Sequence, residues 1–142
     1  MGIRDWFGAK GKGGVRVTGA SPEYPTTLAA ITSLVDAHAA AGDDGMWLTL
    51  SGRGNGRSAT IELAGEQLNF CTEEVDLPGL LRSIGCDDLA AAARAGGKKG
   101  NDRSLWTIAG ASSEQLAMAI DVAFARSLGL GEAYTVEGGR HE

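Results

Sequence analysis

From Met46 to Thr72 the chain alternates apolar and polar residues in three short runs, MWLTLSGRG, RSATIELA and QLNFCT, separated by Asn55-Gly56 and Gly65-Glu66. Period-two alternation is the signature of a strand with one buried face. Asn-Gly is the favoured pair for a type I′ turn, and a leading Gly suits type II′. With those turns Leu48 faces Leu63, Leu50 faces Ile61, Leu63 faces Leu68 and Ile61 faces Phe70. Six apolar side chains then share one face, and a slip of one residue would send all of them to water. The opposite face carries Trp47, Thr49, Ser51, Thr60, Glu62, Asn69 and Cys71. A sheet with one apolar side needs helices to cover it. The expected fold is therefore α+β, an antiparallel sheet built on a three-strand meander with one face covered by helices.

Helical spacing supplies that cover. A helix is expected from near Tyr24, with Pro25 at its first position, to Gly42, burying Leu28, Ile31, Leu34 and Val35. Asp76 is placed to cap a short helix carrying Leu77, Leu80, Leu81 and Ile84, which Gly85 closes. Asp87 or Asp88 caps a further helix over LAAAARA. A fourth strand is expected over Ser104 to Ala109 with Trp106 and Ile108 inward, or in the reverse assignment Leu105 and Thr107. Ser112 and Gln115 have the spacing of a capping box, and Leu116, Ile120, Ala123, Phe124 and Leu128 form the stripe of a last helix that Gly129 ends. A short strand from Ala133 to Val136 would add to an edge. The expected order is α-β-β-β-α-β-α with that short last strand. Residues 1–20 are read as a flexible segment, 21–137 as a single domain and 138–142 as a disordered tail.

Composition adds limits. At 142 residues the chain has the length of one domain, and its net charge of −5 argues against general nucleic-acid binding. Basic residues gather in loops, Arg53 with Arg57, Lys98 and Lys99 with Arg103, and Lys10, Lys12 and Arg16 ahead of them. These are the basis of an alternative reading as a small-ligand or nucleic-acid-binding domain. Cys71 and Cys86 lack metal or redox spacing and follow nothing that reads as a signal peptide, so a reducing cytoplasm is the expected home. A thiol-dependent enzyme is the third reading. No apolar run is long enough to span a bilayer.

Two glycine-rich stretches, GAKGKGG and GRGNGR, invite a phosphate-loop reading, but neither keeps the required spacing or opens a helix. GRGNGR is explained as a hairpin tip. His38 and His141 have no ligand spacing between them. No catalytic residue, metal or cofactor is expected. The candidate partner-binding residues are Trp47, Thr49 and Glu62 on the polar sheet face, and Ile3, Trp6 and Phe7, an apolar trio at helical spacing near the N-terminus.

Taken together, DGMWLTLSGRGNGRSATIELAGEQLNF for the meander, SLWTIAG for the fourth strand and SSEQLAMAIDVAFARSLGLGEAYTV for the close resemble the YbjN-like members of the type III secretion chaperone-like (TY-Chap) fold over about residues 24 to 137. That resemblance implies a chaperone-like or adaptor role without catalysis, in which the sheet and its flanking helix bind another protein or peptide, and in which two copies often pair as a homodimer.

Overall fold

The computed structural model describes residues 15–18, 26–42, 45–71, 73–96 and 102–141, and of 15–18 the backbone alone. The elements are β1 (Val15–Thr18), α1 (Thr27–Ala40), β2 (Trp47–Gly54), β3 (Arg57–Ala64), β4 (Gln67–Asn69), α2 (Leu77–Ser83), α3 (Asp87–Ala92), β5 (Ala93–Gly96), β6 (Asp102–Ile108), α4 (Ser113–Val122) and β7 (Thr135–His141). The fold is α+β. Seven strands form one antiparallel sheet in the order β1-β7-β2-β3-β4-β6-β5.

The meander has the register that the turn chemistry dictates. Leu48 pairs with Leu63, Leu50 with Ile61 and Leu63 with Leu68. Asn55 and Gly56 both take positive φ, 53° and 72°, and Gly65 takes 59°. The six apolar residues, Phe70 among them, are all buried. The Ile61–Phe70 rung is not formed, because β4 ends at Asn69 and the Phe70 amide turns to donate to the Ser104 carbonyl at 2.6 Å. Strand six inherits the same inward face, with Trp106 and Ile108 buried. The Trp106 indole N–H donates to the carbonyls of Val75 (3.0 Å) and Arg103 (2.9 Å), so this polar atom is paired inside the core.

Helices α1 and α4 pack on each other and on the apolar side of the sheet. Thr26 caps α1, its Oγ1 accepting from the Ala29 amide; the expected start at Tyr24 and Pro25 lies outside the described residues. The capping box of α4 is complete, with Ser112 Oγ accepting from the Gln115 amide and Gln115 Oε1 accepting from the Ser112 amide. Past Val122 the helix widens into a π turn over Ala123–Ser127, closed by the Leu128 amide on the Ala123 carbonyl, and Gly129 then takes a φ of 76°. The loop that follows lies directly against the β2–β3 hairpin. A Cβ on Gly54 would run into the Leu130 carbonyl oxygen, and one on Gly52 into the Leu130 and Phe124 side chains. Close approach thus accounts for Gly52 and Gly54 of GRGNGR, and the positive φ of the turn for Gly56.

Three expectations are corrected. Of the tail assigned to 138–142, residues 138–141 are instead the greater part of β7, which sits inside the sheet between β1 and β2. Gly138 there lets α1 approach, since a Cβ would come within 3.1 Å of the Leu34 methyls. Within the segment assigned as flexible, 15–18 pair with β7, from Val15 with Gly138 to Thr18 with Thr135. The LAAAARA helix stops at Ala92, and Ala93–Gly96 become an edge strand on β6, because burial of Ala93 opposite Ile108 outweighs the helix propensity of alanine.

Candidate functional site

All the described helices bury their apolar residues into one core with the inward sheet residues, leaving the other face of the sheet without a covering element among the described residues. Its side chains are exposed or half-buried throughout, from Thr135 and Arg53 at one end to Trp47 and Gln67 at the other. Register aligns them in rows across the strands. One row runs Gly139, Thr49, Glu62, Asn69 and Leu105; its neighbour runs His141, Trp47, Ala64, Gln67 and Thr107.

Glu62 is the hub. Its Oε1 accepts from Asn69 Nδ2 at 3.2 Å, and its Oε2 receives Thr49 Oγ1 at 3.4 Å and lies 3.1 Å from His141 Nε2. The His141 and Glu62 side chains are 48% and 24% exposed, so solvent screens the pair and it fixes orientation more than it stabilises the fold. Asn69 in turn accepts from the Cys71 amide through Oδ1 at 2.9 Å, which holds Cys71 at a φ of 61°, in the left-handed region. Partial burial, and then the Glu62 carboxylate, push the Cys71 thiol above its ordinary pKa. The neutral thiol is a poor nucleophile.

Of the residues expected at this face, Thr49 and Glu62 are direct cross-strand partners joined by a hydrogen bond, and Trp47 stands half-exposed in the adjoining row. Ile3, Trp6 and Phe7 lie outside the described residues, as do the basic residues Lys10, Lys12, Lys98 and Lys99. His141 was missed because Gly138-Gly139 in its run reads as a break; the alternation of Val136, Gly138 and Arg140 inward was the available signal.

On the inner side of the same sheet end, Arg140 is buried and its Nε donates to His38 Nδ1 at 2.7 Å. An accepting Nδ1 carries no proton, so this imidazole is neutral and serves as a bridge between α1 and β7. His38 also lines a cavity of about 640 Å³ together with Val35, Met46, Trp47, Leu63 and Leu116 among others. No group of three or more metal-ligating side chains occurs among the described residues, and no described helix is long and apolar enough to cross a membrane. Comparison with protein families, curated proteins and solved structures returns no match.

Proposed function

We propose that this protein is a non-catalytic, chaperone-like or adaptor module that binds another polypeptide on the uncovered face of its sheet. The observation that carries this reading is the placement of every described helix on one side of a seven-stranded sheet. Opposite them, Trp47 borders a row of hydrogen-bonded polar side chains. Uncharged Thr49, Ser51, Thr60, Gln67 and Asn69 share that face with Trp47, and Trp is among the residue types enriched at protein interfaces. The Glu62 network is assembled before any partner arrives, which lowers the ordering cost of association. The YbjN-like resemblance points to the same class of role.

A photo-crosslinking residue placed at Thr60, on the open face, should trap a discrete partner in native lysate, whereas one at the exposed Glu114 of α4 should not. Trp47→Ala should deplete the same partner. Equal adducts from both positions, or an unchanged adduct in Trp47→Ala, would remove the sheet face from the reading.

A further inference from the structure

The helical layer carries a second surface. Between α1, the end of α2, α4 and the loop before β7 runs an open groove of about 750 Å³. Met118 and Val122 of α4 and Ala125 of the π turn that continues it form its floor, with Leu28 and Ile84 as walls. Apart from Val122 these apolar residues are only half-buried. Asp121 and Glu132 stand at the groove as carboxylates. Asp121 is held there by the Tyr134 hydroxyl, which donates to Oδ1 at 2.6 Å. Arg126, the one cation among the described lining residues, is drawn aside to Ser83, whose Oγ accepts from Nη1 at 2.8 Å.

We infer that this groove docks an amphipathic helix of a partner protein, with apolar anchors at i, i+3 or i+4 and i+7 and Lys or Arg along its margins. A helix is specified because the described lining comes from helices, a loop and Thr135 of β7. That strand is already paired on both sides by β1 and β2, so no free sheet edge among the described lining residues is offered to an extended chain. An extended segment would lose water from its backbone groups without replacing the hydrogen bonds, whereas a helix satisfies its own. Basic margins are specified by the two carboxylates and the diverted arginine. A floor containing Met adapts to anchors of different shape. Among the described residues this surface meets the sheet only at Thr135, away from the Glu62 network, and together the two give the molecule a second point of attachment, as an adaptor needs.

The probe is a fluorescein-labelled amphipathic peptide of about four helical turns, built from Leu on one face and Lys on the other, with a Glu-for-Lys counterpart. Fluorescence anisotropy should give saturable one-to-one binding of the Lys peptide and at least about tenfold weaker binding of the Glu peptide. Ala125→Arg should abolish binding. Glu132→Lys, an exposed loop change that leaves the core intact, should weaken it by about fivefold or more, whereas Glu74→Lys, with the same change of charge in another exposed loop, should weaken it by less than about twofold. Absence of saturable binding, equal binding of the two peptides, equal effects of Glu132→Lys and Glu74→Lys, or loss of binding in Trp47→Ala would each overturn the assignment. The sheet-face reading would stand regardless, because its crosslinks are read at Thr60.

Discussion

At the scale of single residues, two glycines in one hairpin do different work. Gly56 takes a φ of 72° in open space, so Gly56→Ala should cost about 1 kcal/mol through backbone strain. Gly54 faces the Leu130 carbonyl, and Gly54→Ala has to displace backbone, with an expected loss of about 1–3 kcal/mol. Urea unfolding of the two variants tests the order; a Gly54→Ala midpoint at or above that of Gly56→Ala contradicts it. Cys71 offers a chemical test of the open face. A raised pKa keeps its thiol protonated at neutral pH, and below that pKa the thiolate fraction falls about tenfold for each pH unit. Alkylation in the native protein should therefore be slower than in urea at the same pH, and Glu62→Gln should speed it by removing the second of the two causes. Native labelling of Cys71 as fast as that of the unfolded chain would show that the thiol is not held as described.

At the scale of elements, α4 is secured at both ends by polar contacts. Ser112→Ala removes half of the capping box and should cost about 1 kcal/mol. Tyr134→Phe removes the hydroxyl that donates to Asp121 from a ring otherwise buried against Phe124, with centroids 5.3 Å apart, and should cost about the same. Chemical denaturation reads both, and a loss beyond about 3 kcal/mol in either would mean that more than one hydrogen bond had been removed. The elements legible in the sequence are those whose signal is local: the Asn55-Gly56 reversal, the Ser112–Gln115 box and the alternation of Leu48 with Leu50. The unreadable ones depend on partners distant in the chain. Ala93–Gly96 is a strand only because β6 lies beside it, and Gly138 fits a strand only because Leu34 occupies the space its side chain would take. The same divide separates the halves of the candidate site. Thr49 and Glu62 follow from one hairpin, whereas His141 joins them only once β7 is known to lie inside the sheet.

At the scale of the whole molecule, β7 decides how the sheet closes. It joins β2 along seven residue pairs and is the sole described neighbour of β1. It also inserts Val136 and Arg140 into the core. A chain cut after Val136 should lose its cooperative unfolding transition, although the β2–β3–β4 meander keeps its own turns. Circular dichroism during urea titration reads the loss, and a truncated chain with an unchanged midpoint would return 138–142 to the status of a dispensable tail.

The position of β7 also sets a timetable. Val15–Thr18 waits for a strand more than a hundred residues later before it gains its described sheet partner, so during synthesis it must remain without its rung until β7 has left the ribosome. Closure across so long a stretch is entropically slow. Until it happens the β2 edge that β7 covers is bare, a row of unpaired backbone groups open to pairing with the wrong strand.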